Sequence, residues 1–366
     1  MKTPPALAVC LFTLALLSSA AATQPYQVLN IAKVGGAGGF DYVYADSDGR
    51  RLYIPRGNRV TVYDLDTLKS AGEIPNTPNV HGVAVDPQSH HGFSSSRPVV
   101  MWDTQTLATL KTIAVEGAPD AIHFDPATGR ILVLSHRTPN VTVLDAKDGS
   151  LVGTLELGGA PEQAVSDGTG RVFIDIEDKD EVAVVDARVR QVTARYSLGG
   201  KGGTPAGLAI DAKNHLLFAC CREPATCVIL NADDGKILAS LPIGAGTDSA
   251  AFNPSTMEAF SSQRDGTLTV IKENSPTSFE VEQTVATKAG ARTCTLDTKT
   301  GKVFLITAET TPALPGNPAE RGVPGTNTGP AAAGNGAPPA APGQPAPRPG
   351  RPQLVPDSFT ILTVGR

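Results

Sequence analysis

IHFDPATGRILV, residues 122–133, contains an apolar run ending at Asp125, a turn with Pro126 and Gly129, and a second apolar run. An Asp side chain can accept a hydrogen bond from the backbone two residues further on. Proline presets the φ angle of the next turn position, and glycine closes the turn where a left-handed residue fits. The stretch therefore predicts two antiparallel strands joined by a tight turn.

The same pattern occurs seven times along the chain. The residues that end the first apolar run of each unit are Asp46, Asp86, Asp125, Asp167, Asp211, Asn253 and Asp297. They are separated by 40, 39, 42, 44, 42 and 44 residues, a period typical of a four-stranded propeller blade. A β-branched third strand follows in each unit, as in residues 140–145, and a more polar fourth strand follows that, as in residues 151–157. We predict an all-β, seven-bladed propeller of four-stranded antiparallel blades.

The seventh unit is interrupted. Residues 311–356 include 13 Pro, 8 Gly and 9 Ala, a composition that predicts a disordered loop. Residues 358–364 (SFTILTV) then supply a third strand, and residues 26–34 (YQVLNIAKV) resemble the outer strands. We therefore expect the N-terminal strand to complete the last blade, which would make residues 23–366 one interrupted propeller.

The first residues indicate export. Lys2, an apolar run from residue 6 to 17 and small residues up to Ala22 are typical of a secretory signal, predicted here as residues 1–22. The protein is then periplasmic or extracellular, and no other apolar run approaches the length of a membrane span.

Four cysteines lie outside this segment: Cys220, Cys221, Cys227 and Cys294. An oxidising compartment permits pairing, and Cys221 and Cys227 flank an expected hairpin loop, so they are the candidate disulfide. The chain has no Cys-x-x-Cys-His motif, so covalent haem is not expected; the cofactor is otherwise unknown.

The repeats resemble the YVTN-repeat family of seven-bladed propellers, which includes YncE-like periplasmic proteins. The resemblance rests on residues 52–58 followed by 60–64, on 131–136 followed by 141–145, and on 172–176 followed by 182–186. The family's Asn at the end of the second strand is replaced here by Arg56, His136, Glu177 or Cys221. The resemblance implies the fold; members of the family have been linked to DNA binding, surface layers or redox enzymes, and it implies no single activity.

The candidate binding face is the end of the propeller at which the inner strands begin. Counting five residues back from each turn residue gives Asp41, His81, Asp120, Glu162, Ala206, Asp248 and Arg292. The second strands end on the same face, near Arg56, Arg97, Arg137, Glu177, Arg222, Arg264 and Glu309. This predicts a carboxylate ring surrounded by arginines, either as simple surface charge pairing or as a funnel for an anionic or amphoteric ligand.

The candidate ligand-binding residues are Asp41, His81, Arg97, Asp120, His136, Arg137, Glu162, Asp248 and Arg292. Arg97 and Arg137 are the expected anchors for an anion. His81, Asp120 and His136 are weaker candidates for a metal site, because two imidazoles and a carboxylate can hold a divalent ion.

We predict a non-catalytic binding or scaffold protein whose ligand, a small molecule or a protein partner, sits at the axial mouth. The alternative is a lactonase-like or metal-assisted hydrolase with its site at the same mouth. The net charge of −5 does not favour nucleic acid, although that partner stays open. The oligomeric state is not predicted.

Overall fold

Each predicted turn joins the first two strands of a four-stranded antiparallel sheet. A computed structural model describes residues 24–136, 138, 140–311 and 353–366. All seven turn residues accept a hydrogen bond from a backbone N–H two or three positions on; the seven donors are Gly49, Gln88, Thr128, Thr169, Lys213, Ser255 and Lys299. The expected turn chemistry is thus confirmed.

Seven sheets form the blades of a propeller, as predicted. Blades 1 to 3 contain the strands Tyr44–Asp46, Arg51–Pro55, Val60–Asp64 and Ser70–Ile74; Val83–Asp86, His91–Ser94, Val99–Asp103 and Thr109–Ile113; and Pro119–Asp125, Arg130–Ser135, Asn140–Asp145 and Leu151–Glu156.

Blades 4 to 7 contain the strands Pro161–Ser166, Arg171–Ile176, Glu181–Asp186 and Gln191–Ser197; Pro205–Asp211, Leu216–Cys221, Thr226–Asn231 and Ile237–Pro242; Thr247–Asn253, Glu258–Gln263, Thr267–Ser275 and Ser278–Ala286; and Cys294–Asp297, Lys302–Thr307, Thr360–Gly365 and Gln27–Lys33. One 3₁₀ turn, Glu177–Lys179, follows the second strand of blade 4.

The hydrophobic core lies between successive blades. Leu134 and Val143 of blade 3 pack with Val172 and Ile174 of blade 4, and all four side chains are buried. Outer strands are mostly exposed or half-buried, and Gln191–Ser197 alternates exposed residues with half-buried or buried ones. Burial of two faces on the inner three strands explains their apolar runs, whereas the outer strand meets water on one side.

The last blade is closed by the N-terminal strand, as expected. Val28 lies opposite Val364, and the third strand of this blade is the C-terminal one. Tyr26, only 4% exposed, extends the closure to blade 6 because its hydroxyl donates to Glu258 Oε2 at 2.6 Å. The Arg366 guanidinium lies 4.2 Å from the Tyr26 ring and 2.7 Å from the other oxygen of Glu258.

The two ends of the predicted loop 311–356 are among the described residues. Thr310–Thr311 and Gln353–Leu354 form a short antiparallel ladder, and Val355 N–H donates to Glu309. These backbone hydrogen bonds join the two ends of the predicted loop to each other and to Glu309, and the disorder of the segment stays a prediction. Residues 312–352 and the predicted signal, residues 1–22, lie outside the described residues.

The cysteine register differs from the predicted pairing. Cys227 lies directly opposite Cys220, whereas Cys221 lies opposite Thr226. Adjacent residues of a strand point to opposite faces, so Cys221 faces blade 4 while Cys220 and Cys227 both face blade 6. The predicted Cys221–Cys227 pairing was therefore wrong by one residue. All four described thiols are free.

Among the described residues, no helix is long and apolar enough to cross a membrane.

Candidate axial binding site

The starts of the inner strands converge at one end of the propeller, as the spacing predicts. Together with the ends of three second strands they form a set of charged and imidazole side chains that we call the axial mouth: Asp41, His81, Asp120, His136, Glu162, Glu177, Arg222, Asp248 and Arg292. Six of the inner-strand positions predicted from the sequence belong to it. The structure fixes their positions; ligand binding by them stays a prediction.

The first imidazole cluster combines three neighbouring blades. Nδ1 of His81, from blade 2, lies 2.8 Å from Asp41 Oδ2 of blade 1 and 3.3 Å from Asp120 Oδ1 of blade 3. One ligand atom from each residue lies within 4.8 Å of the other two. A single ring nitrogen therefore faces two carboxylates, although it can carry only one proton.

The second imidazole cluster has the same design with different blades. Nε2 of His136, from blade 3, lies 2.8 Å from Glu177 Oε2 and 3.5 Å from Glu162 Oε1, both from blade 4. These ligand atoms also lie within 4.8 Å of one another. Glu162 is only 7% exposed, and the Tyr42 hydroxyl donates to its second oxygen at 2.5 Å. Tyr42 thus fixes the orientation of the carboxylate at the floor of the mouth.

Two arginines complete the mouth, and both already form ion pairs with its carboxylates. Arg222 of blade 5 is paired with Glu177 and Asp248, and Arg292 of blade 7 is paired with Asp248 and lies 3.4 Å from Asp41. The mouth therefore contains five carboxylates (Asp41, Asp120, Glu162, Glu177 and Asp248) and two guanidiniums. With both imidazoles neutral and all five carboxylates ionised, its formal charge would be −3, five negative groups against two positive ones.

The pKa shifts follow from this crowding of carboxylates. Burial alone would lower the pKa of His81, but its hydrogen bond to Asp41 and the charge of Asp120 raise it overall. The hydrogen bond to Glu177 raises the pKa of His136 against the opposing effect of burial. Burial, followed by the negative charge of Asp120, raises the pKa of Glu162 to about 8. Each shift lets the mouth take up a proton and so reduce its excess negative charge.

The predicted arginine ring is only partly formed. Arg97 is exposed and donates to Gly117 O at 3.0 Å; it shares with His81 a separate cavity of about 470 Å³. Arg56 is buried over the Phe359 ring, 3.5 Å from its centre, and donates to Gly35 O and Ala37 O. Arg137 lies outside the described residues.

The predicted metal residues are divided between the two clusters. His81 and Asp120 belong to the first and His136 to the second, each with carboxylates that the candidate metal trio does not include. Tyr42 is absent from the predicted site, and Glu177 and Arg222 are identified from the sequence only as strand ends. Tyr42 directly follows Asp41, a predicted mouth residue, and Glu177 occupies in blade 4 the position that His136 occupies in blade 3; these are the signals that point to the two residues.

Beneath the mouth, one side chain links the inner strands of three successive blades. Gln163 of blade 4 donates from Nε2 to Ala250 O of blade 6 at 2.9 Å, and its Oε1 accepts from Leu208 N–H and Ala250 N–H. Gly207 permits the close approach of the inner strands of blades 5 and 6, because a Cβ at this position would meet the Ser249 backbone at 2.8 Å. The inner strands around this bridge line a cavity of about 340 Å³.

The donor set of the mouth fits a divalent cation. Each cluster offers one imidazole nitrogen and two carboxylates, the ligand types that Zn²⁺ and Mn²⁺ accept in proteins. Three protein ligands also leave a coordination position open for water or a ligand.

Comparisons with known proteins identify the fold alone. No family model matches the chain, and no curated protein matches it. A chain in the crystal structure titled "Crystal Structure of Mitotic Checkpoint Complex" is similar, with a TM-score of 0.64 and 13% identity. The match covers 82% of this chain and 95% of that one. At this identity the similarity supports a shared β-propeller architecture.

Proposed function

We propose that the protein is an exported propeller of the YVTN-repeat type that binds a divalent cation at its axial mouth as a non-catalytic binding protein. The observation that carries the proposal is a repeated geometry in which one imidazole nitrogen faces two carboxylates, in one cluster built from three blades and in another built from two. Export and family membership are supported by the sequence features described above.

Each ring nitrogen has one proton for two carboxylates, and this favours a cation over the anionic ligand considered from the sequence. A ring N–H makes one good hydrogen bond, so in each cluster the second carboxylate lacks an equivalent partner on that nitrogen. A divalent ion in place of the proton would contact all three ligands at once. The two arginines of the mouth, Arg222 and Arg292, are already paired with Glu177, Asp248 and Asp41.

The ligand types indicate which ions bind best. Imidazole favours first-row transition metals and Zn²⁺ over Mg²⁺ and Ca²⁺, which prefer all-oxygen sites. Zn²⁺ also binds more tightly than Mn²⁺ at a given set of nitrogen and oxygen ligands. We therefore expect the order Zn²⁺ above Mn²⁺ above Ca²⁺.

Thermal melts of metal-free protein test this proposal. Zn²⁺ is expected to raise the melting temperature of the wild type, because a ligand that binds only the folded state stabilises it. His81→Ala/His136→Ala should lose the shift. His215→Ala is the matched control, because His215 pairs with a single carboxylate, Asp233, at 2.9 Å beside a turn at the other end of the blades. An equal shift in all three proteins would place the ion elsewhere and contradict the proposal.

A metal-assisted hydrolase is the second candidate. It is favoured by the presence of three protein ligands per cluster instead of four, since catalytic zinc sites keep an open position for water. Turnover of lactones and esters with and without Zn²⁺ separates the two candidates. Zinc-dependent hydrolysis that Glu162→Gln abolishes would favour the enzyme, and zinc binding without turnover would favour the binding protein.

A further inference from the structure

Two cysteines in blade 5 face each other across neighbouring strands. Cys220, in the second strand, lies directly opposite Cys227, in the third. Their Sγ atoms are 3.1 Å apart, and both side chains are fully buried against blade 6. Directly opposite residues of an antiparallel pair have Cα atoms about 4.5–5.5 Å apart, within the span that a disulfide bridges.

We propose that Cys220 and Cys227 are a site of disulfide formation and form a cross-strand disulfide when the protein folds in an oxidising compartment. Two thiols lose two protons and two electrons, and one Sγ–Sγ bond forms. The electrons reduce a disulfide of the thiol–disulfide exchange class, such as oxidised glutathione, to two thiols. The inference does not depend on cation binding at the mouth.

The folded environment determines when the bond can form. Burial, reinforced by the Cys220 thiol, raises the pKa of the Cys227 thiol well above its ordinary value. The thiolate is the reactive form, and neither sulfur is exposed in the closed ring. Oxidation is therefore expected during folding, before blade 6 covers the pair.

The bond would close the hairpin that carries Arg222. The innermost pair of this hairpin is Cys221 with Thr226, and Arg222 begins the loop between them. From that loop Arg222 pairs with Glu177 and Asp248. A disulfide one pair away would thus hold the two strands that position this arginine.

Peptide mapping tests the proposal, because trypsin separates the two cysteines. The full chain is unfolded, reduced and refolded with oxidised and reduced glutathione. Circular dichroism verifies that the β-sheet spectrum has recovered. Free thiols are then alkylated, and the protein is digested with trypsin. Cleavage after Lys213, Arg222 and Lys236 gives peptide 214–222, with Cys220 and Cys221, and peptide 223–236, with Cys227.

The expected result is that the two peptides are linked, with Cys221 alkylated and the bond at Cys220. The link should persist in Cys221→Ala and disappear in Cys220→Ala. Fragment ions of the wild-type peptide distinguish alkylated Cys221 from Cys220 even if Cys220→Ala does not refold. Refolded wild type with all three cysteines alkylated, or with its bond at Cys221, would overturn the proposal.

Discussion

Nε2 of His136 lies 2.8 Å from Glu177 Oε2, and the two residues occupy the same position, directly after the second strand, in neighbouring blades. Their proximity is thus a product of the repeat, in which equivalent positions of successive blades meet around one axis. The same imidazole nitrogen also faces Glu162 at 3.5 Å. The proton on this nitrogen can form a good hydrogen bond to only one of the two carboxylates, whereas a divalent cation can contact both. We therefore expect protons and cations to compete for this site.

Cation binding is therefore expected to weaken as pH falls. The pKa values of His81 and His136 are raised above the ordinary value of about 6.5, so both rings begin to take up protons above that pH. Below the raised pKa values, affinity should fall by about tenfold per pH unit for each proton that the ion displaces. Calorimetry of Zn²⁺ binding in buffers of different ionisation enthalpy measures this proton release. Affinity that is constant from about pH 8 to 6 would contradict the assignment of the imidazoles as ligands.

The metal-free protein should show the opposite pH dependence in its own stability. A raised histidine pKa stabilises the folded state at low pH, and this contribution disappears as pH rises through the folded-state pKa. The melting temperature of the metal-free wild type is thus expected to fall more between pH 6.5 and 8.5 than that of His81→Ala/His136→Ala. Parallel profiles for the two proteins would show that the ion pairs of His81 and His136 do not stabilise the fold.

Arg222→Gln should bind the cation more tightly. The substitution removes a positive charge beside Glu177 while keeping a long polar side chain. Loss of one repulsive charge near the site is expected to increase Zn²⁺ affinity by roughly three- to tenfold. Arg130→Gln is the matched control, because Arg130 pairs with Asp145 beside the turns at the other end of blade 3. Weaker binding in Arg222→Gln would mean that the arginine is needed to organise the mouth.

Tyr26 should contribute strongly to closure of the ring. Tyr26→Ala removes a buried ring that packs edge-on against Phe260 and under the Arg366 guanidinium. Such a truncation costs about 3–5 kcal/mol of unfolding free energy. Tyr26→Phe keeps the ring and loses only the hydrogen bond to the Glu258 carboxylate, at about 1.5–3 kcal/mol. Urea unfolding measures both values, and a wild-type midpoint for Tyr26→Ala would show that this contact is dispensable.

Replacement of residues 312–352 by Asn-Gly should preserve the fold. Thr311 lies directly opposite Gln353, so a two-residue turn fits between these positions as in a β-hairpin. A shorter connection also lowers the entropic cost of closing the loop. Circular dichroism and thermal melting should match the wild type. Loss of the β spectrum would show that the excised segment stabilises the propeller.

The propeller could be predicted because its signals are local. Each Asp or Asn turn residue binds its own backbone, and the near-constant spacing repeats that turn seven times. The sequence could not predict which cysteine lies opposite Cys227, because a shift of one residue in the strand register changes the partner. The hairpin loop contains four residues, 222–225, and a loop one residue longer would have placed Cys221 opposite Cys227.

The mouth was predictable at its inner strands and less so around them. Asp248 lies near the start of the inner strand Thr247–Asn253, and Asp41 lies three residues before the inner strand Tyr44–Asp46; the propeller geometry fixes the direction of both strands. Long side chains at the ends of second strands take directions set by distant neighbours: Arg56 turns inward onto Phe359, and Arg222 turns toward Glu177. The Tyr42 hydroxyl finds its partner in Glu162, a residue 120 positions away.

Titration calorimetry of metal-free protein with Zn²⁺ tests the central claim most directly. Two clusters of one imidazole and two carboxylates predict two bound ions per chain in the wild type. His81→Ala and His136→Ala should each retain one site, the double variant should retain neither, and His215→Ala should retain both. A wild type that binds no ion, or a double variant that binds as many as the wild type, would contradict the account.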